Sequence, residues 1–78
     1  MVTVRLFAAA AEAAGTDETS VASGTVGQIG EQLVAARGAD LARVWRQCAL
    51  MVDGRRVEAD EVIAAGSTLD VLPPFAGG

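Results

Sequence analysis

The sequence predicts an α+β fold, a mixed sheet of about five strands with one main helix packed across it. Three observations carry this expectation. A capped stretch of helical periodicity, Thr25 to Gly38, stands between two regions of strand-like alternation. The Asp53-Gly54 pair, set between an apolar run and a brief return segment, is the strongest hairpin signal in the chain. A last strand-like run, Thr68 to Leu72, follows a Gly66-Ser67 turn and returns to lie beside the first.

Taken in order, Val2 to Phe7 alternates and reads as the first strand, with Val2, Val4 and Leu6 on one face. Phe7 falls on the other face at the strand's end, where an aromatic serves either satellite packing or an apolar docking surface. Ala8 to Ala14 is a run of strong helix formers stopped by Gly15, a short helix of about two turns. Glu18 to Ala22 is short and polar on one side, as an edge strand should be, and its natural pairing with the first strand is antiparallel.

Thr25 followed three residues later by Gln28 is a capping-box pattern. Val26, Ile29, Leu33 and either Val34 or Ala36 then recur at helical spacing up to Gly38. Gly27 and Gly30 each weaken this helix by roughly 1 kcal/mol relative to alanine, which predicts close packing on the sheet. Asp40 is placed to cap a further short turn, Leu41 to Arg46, with Leu41, Val44 and Trp45 facing inward. Cys48 to Val52 is a nearly continuous apolar strand, and Arg55 to Val57 its return across the Asp53-Gly54 turn. Glu58 to Ala65 reads as an irregular connection or a single helical turn, its acidic residues a solvated face. Two hairpins flanking a helix, with a final strand central and parallel to the first, define a β-grasp arrangement.

Composition narrows the function. A chain of 78 residues is one domain, near the lower limit for a core without staples. Cys48 is the only cysteine and histidine is absent. An intrachain disulfide is therefore impossible, no zinc cluster is expected, and a packed thiol is the simplest reading of Cys48. A net charge of −4 argues against binding nucleic acid, which needs a basic stripe. The apolar runs are too short for a membrane span and the N-terminus has no signal-peptide layout, so a cytoplasmic location is expected. All the basic residues are arginine, so no lysine amine of the chain itself could intercept an activated carboxyl end.

The final stretch, Thr68 to Gly78, carries the functional signal. After Leu72 come Pro73 and Pro74, which lack N–H donors and force an extended exit from the ladder. Phe75, Ala76, Gly77 and Gly78 then reach about 13 Å beyond the body at roughly 3.3 Å per residue. The terminal glycines carry no Cβ, so a partner can close around this backbone on every side. Residues 1–78 are thus expected to form a single body with 75–78 as a flexible functional tail.

With these elements placed, the chain resembles the MoaD/ThiS family of ubiquitin-like sulfur carriers. The resemblance spans essentially the whole chain. It is most specific at Val4-Arg-Leu-Phe-Ala8, at Asp53-Gly54 and at Leu72-Pro-Pro-Phe-Ala-Gly-Gly78. The two prolines before a short hydrophobic link look like the molybdopterin branch, the small subunit of molybdopterin synthase, although Phe75 is bulkier than the residue that branch leads one to expect.

The resemblance implies that a ubiquitin-activating-type adenylyltransferase spends ATP to adenylate Gly78, and that a sulfur donor converts it to a thiocarboxylate. A carboxylate is a poor electrophile until a good leaving group is attached. It also implies that Gly77 and Ala76 thread a partner's channel and that Phe75, Pro74 and Phe7 belong to the docking surface. Arg55 and Arg56 are the expected ion-pairing residues there. The implied partner is the synthase large subunit, in a heterotetramer, with sulfur delivered to the molybdopterin dithiolene. The carrier itself binds no cofactor or metal and performs no catalysis alone. Sulfur carriage for thiamine thiazole or cysteine synthesis, protein modification through Gly78, and a plain β-grasp interaction module are the alternatives.

Overall fold

The computed structural model describes residues 1–74. Its elements run β1 (Val2–Leu6), α1 (Ala9–Ala14), β2 (Glu18–Val21), β3 (Gly24–Thr25), α2 (Val26–Arg37), α3 (Ala39–Trp45), β4 (Ala49–Val52), β5 (Arg55–Arg56), β6 (Val62–Ile63) and β7 (Thr68–Leu72). The principal sheet has the order β2-β1-β7-β4-β5, and β3 pairs with β6 in a separate two-stranded ladder. β7 is the middle strand, parallel to β1 and antiparallel to β4. This is the β-grasp arrangement that the element order predicts.

Alternation in β1 and β7 explains the layering. Val2, Val4 and Leu6 from β1 join Leu69 and Val71 from β7 in a core that also takes Ile29 and Leu33 from α2 and Leu41 from α3. All eight are at most 2% exposed, so the periodicity of two in the strands meets the helical periodicity of α2 at one layer. No polar or charged side chain of the described residues is buried.

Local chemistry fixes the junctions. The Thr25 hydroxyl accepts from the Gln28 backbone N–H at 3.1 Å, and the Gln28 side chain accepts from the Thr25 N–H at 2.9 Å. This reciprocal capping box starts α2 as predicted. Gln32 then clamps the connection from β2, accepting from the Ala22 N–H and donating to its carbonyl, both at 3.1 Å. Asp53 and Gly54 both have positive φ, 52° and 75°, as a two-residue type I′ hairpin requires.

Three sequence expectations are corrected. Asp40 does not cap α3: that helix starts at Ala39, and the residue before it is Gly38, at φ 109°. Gly38 ends α2 and opens α3 at a single residue, a backbone shape that side chains rarely adopt, and Asp40 instead lies 3.5 Å from Arg43. Of the two readings of 58–65 the helical turn does not form; the segment is an irregular connection interrupted by Val62 and Ile63, which form β6 and pair with Thr25 and Gly24.

The third correction concerns the glycines of α2, which pack on their neighbours rather than on the sheet. A Cβ on Gly30 would lie 2.8 Å from the Trp45 indole of α3, and one on Gly27 would lie 3.4 Å from the Ala59 carbonyl oxygen. Gly27 also donates its N–H to that carbonyl at 2.9 Å. Trp45 itself is half-buried against the core, as is Val44.

Candidate functional site

The site is built outward from β7. This strand is paired on both flanks, on the β4 side up to its last residue, with Leu72 opposite Ala49. On the β1 side the Phe7 N–H donates to the Val71 carbonyl at 3.2 Å. The ladder stops where Pro73 and Pro74 begin, since neither has a donor. Pro74 is exposed and is the last described residue. The predicted acyl end and its approach, Phe75, Ala76, Gly77 and Gly78, lie outside the described residues.

Register arranges the sheet face turned away from the core into cross-strand rows. Arg5 pairs with Glu18 of β2 and with Asp70 of β7, Asp70 with Met51 of β4, and Met51 with Arg56 of β5. The row therefore reads Glu18, Arg5, Asp70, Met51, Arg56 across all five strands. Beyond it, toward the exit of β7, lie Phe7, Leu72 and Ala49, each half-buried. Together they form an apolar strip beside the tail's point of departure, backed by an alternating row of charges.

Phe7 thus stands where the sequence places it, on the face away from the core. The Arg5 guanidinium carbon lies 5.4 Å from the centre of its ring, a cation–π distance. That position draws Arg5 away from Asp70. The nearest approach, Arg5 Nε to Asp70 Oδ1, is 3.9 Å, beyond a hydrogen bond. Asp70 Oδ1 is shielded from solvent and meets no hydrogen-bond donor among the described residues.

The structure separates the two arginines that the sequence groups together. Arg56 shares the row with Asp70, whereas Arg55 lies opposite Val52 in the register and donates to Glu61 at 2.5 Å. The Arg55 hydrogen bond holds the Glu61 carboxyl below the usual carboxylate range, against a smaller opposing effect of desolvation. Of these two, Arg55 is paired with Glu61 and Arg56 is the one in the row with Arg5 and Asp70.

The body offers little for acid–base chemistry. The Cys48 thiol donates to the Val44 carbonyl at 3.2 Å, and burial pushes its pKa up. It is a packed thiol, as expected from its place at the start of an apolar run, and not an activated nucleophile. Among the described residues no cluster of three or more His, Cys, Asp or Glu side chains is arranged to hold a metal. None of the described helices is long and apolar enough to cross a membrane. An apolar cleft of about 410 Å³ lies between α2 and α3, lined by Gly30, Val34, Ala42 and Trp45 among others. It lies on the helical layer and is not part of the tail-side face.

Asp70 and Met51 were not singled out from the sequence. The signal was present, because the alternation of Thr68 to Leu72 sets Asp70 opposite in direction to Leu69 and Val71. A carboxylate at the middle of a central strand is unusual enough to mark the face it occupies.

A ubiquitin-like β-grasp body whose last described strand, β7, is the middle of the sheet is the class that this fold defines. Comparison with known proteins agrees. The sequence pattern of the ThiS family matches residues 4–78, and the chain belongs to that family. Among solved structures it is similar to SAMP1 from Haloferax volcanii, at 31% identity and a TM-score of 0.81, covering 99% of this chain and 98% of that one.

It also matches a molybdopterin converting factor subunit 1 from Pyrococcus furiosus in fold, at 24% identity and a TM-score of 0.72, covering 94% and 95% of the two chains. A complex of subunits 1 and 2 of molybdopterin-converting factor from Helicobacter pylori matches at 17% identity and a TM-score of 0.68, covering 99% and 97%. Comparison with curated proteins gave no match.

Proposed function

We propose that this protein is a sulfur carrier whose Gly78 carboxylate is adenylated by an ATP-using adenylyltransferase and converted to a thiocarboxylate. The sulfur is then delivered to the molybdopterin dithiolene through a synthase large subunit. The observation that carries the reading is that the middle strand of the sheet is the one followed in the sequence by Pro-Pro-Phe-Ala-Gly-Gly. A strand paired on both sides is a rigid base, and the residues beyond it present no side chain at the reacting end. Membership of the ThiS family supports carriage by the tail. The fold shared with a converting-factor subunit that was solved with its subunit 2 supports a large-subunit partner. Phe7, Leu72 and Pro74 supply apolar contact in that docking, and Arg56 a charge at its edge.

Intact mass after incubation with the adenylyltransferase, ATP and a sulfur donor tests the chemistry. Replacing one oxygen by sulfur adds about 16 Da once the acyl-adenylate is displaced. Deleting Gly78 is expected to abolish that gain while leaving the melting temperature unchanged, because a terminal residue beyond two prolines adds little to the core. A truncated chain that still acquires sulfur refutes the assignment.

A second reading rests on a specific observation. Another structure of Haloferax volcanii small archaeal modifier protein 1 is 30% identical to this chain over 94% of its length. Conjugation of Gly78 to target lysines uses the same adenylate, and isopeptide-linked species of higher mass distinguish it from carriage alone.

A further inference from the structure

We propose that Asp70 is the charge-recognition point of the tail-side face, paired in the docked state by an arginine or lysine of the adenylyltransferase. This rests on the proposed activation of the tail and adds the chemistry by which its first partner is selected.

Position comes first. Asp70 is two residues before Leu72 on the same strand, so about 7 Å separate it from the last ladder position, at the usual rise per residue. A protein that grips the chain beyond Pro74 and rests on the apolar strip of Phe7, Leu72 and Ala49 extends over the next row as well. The middle of that row is Asp70, on the central strand and between Arg5 and Met51.

Although Arg5 stands within ion-pair distance, the carboxylate keeps unused hydrogen-bonding capacity. Its Oδ1 has no donor among the described residues, while the side chain as a whole keeps a third of its surface exposed. Arg5, the one cation beside it in the row, is too far for a hydrogen bond and lies over the Phe7 ring instead. The exposed part of the carboxylate is open to water in the free protein.

Docking removes that water. A carboxylate stripped of solvent without a donor opposes association strongly, whereas a cationic donor brought against it turns the same burial into a selective contact. The charge order of the row, negative at Glu18 and Asp70 and positive at Arg5 and Arg56, then demands the opposite order on the partner. A cation must face Asp70, and an anion can face Arg56. A partner with an apolar or acidic group at the Asp70 position is excluded by the same desolvation.

The test is calorimetric titration of the full chain, and of its Asp70→Asn variant, into the adenylyltransferase of the same organism. Melting temperatures of both proteins are measured alongside. Asp70→Asn is expected to weaken binding at least tenfold, to flatten the salt dependence of the affinity, and to leave the melting temperature unchanged or raised. The last outcome follows because the native carboxylate lacks a donor in the free body. Binding by the variant within twofold of the unaltered chain overturns the proposal. So does a fall in melting temperature large enough to account for lost binding, which would make Asp70 a structural residue. Failure of the unaltered chain to bind at all refutes the proposed function, and this inference with it.

Discussion

Gly30→Ala sets two well-characterised effects against each other at one atom. In a helix interior alanine is preferred over glycine by about 1 kcal/mol, so the substitution should stabilise α2 if nothing else touches it. The added Cβ, however, would stand 2.8 Å from both Cε2 and Nε1 of Trp45 and 3.0 Å from Cζ2. Those atoms belong to the body of a rigid ring packed against the core, not to the end of a flexible chain. Overpacking of this kind typically costs about 1–3 kcal/mol, and a contact this short belongs in the upper part of that range.

The net expectation for Gly30→Ala is therefore a loss of about 1–2 kcal/mol. At roughly 4–8 °C per kcal/mol for a domain of this size, the melting temperature falls by about 5–15 °C. Gly27→Ala is the internal control, because its Cβ meets the Ala59 oxygen at an ordinary 3.4 Å. It should be neutral or stabilising by up to about 1 kcal/mol. Urea unfolding measures both. Trp45 is the only tryptophan, so a shift of its emission in folded Gly30→Ala reports the displaced ring directly. In a Trp45→Ala background the sign should reverse, and Gly30→Ala should stabilise. A Gly30→Ala protein as stable as Gly27→Ala, with unaltered emission, would refute the packing argument.

Other perturbations have equally definite outcomes. Thr25→Ala removes the acceptor for the Gln28 N–H and opens the capping box, for an expected loss of about 1 kcal/mol by chemical denaturation. Ala8 sits at φ 51°, ψ −124°, immediately before α1. Strain of about 1–3 kcal/mol at such a position exceeds the roughly 0.5–1 kcal/mol entropic penalty of glycine, so Ala8→Gly should raise the melting temperature. Burial raises the Cys48 pKa in the folded state. Its contribution to stability is thus intact below the unfolded thiol's pKa and is lost as pH rises through the folded value. Alkylation of the native protein should accordingly lag behind that of the urea-unfolded chain at pH 8–9, near the ordinary thiol pKa of about 8.5, and Cys48→Ala should flatten the alkaline decline in stability.

The fold was legible where one-dimensional pattern and three-dimensional role coincide. Strand alternation in Val2–Leu6, the Thr25/Gln28 pair and Asp53-Gly54 each specify geometry within a few residues, and each appears as expected. The two-residue ladder of β3 with β6 was not legible, because two residues have no periodicity and their partners lie almost forty positions apart. The glycines of α2 announced a close approach, but not that Trp45 would be the group approaching. Asp40 has the chemistry of a helix cap, yet the backbone turn at Gly38 moved the helix start ahead of it. At the site, the sequence placed Phe7 on the correct face. It could not separate Arg55 from Arg56, since that depends on Glu61 folding back to take one of them.

The parallel pairing of β1 with β7 has a consequence for how the protein is made. Of the described elements, the strand at the sheet's centre comes last in the sequence and its partner β1 comes first. Contacts spanning nearly the whole length of a chain form late and slowly. A polypeptide cut short before Thr68 has no middle to its sheet and hence no body for a partner to hold. Folding itself therefore serves as an inspection: only molecules synthesised through Thr68–Leu72 acquire the complete sheet face.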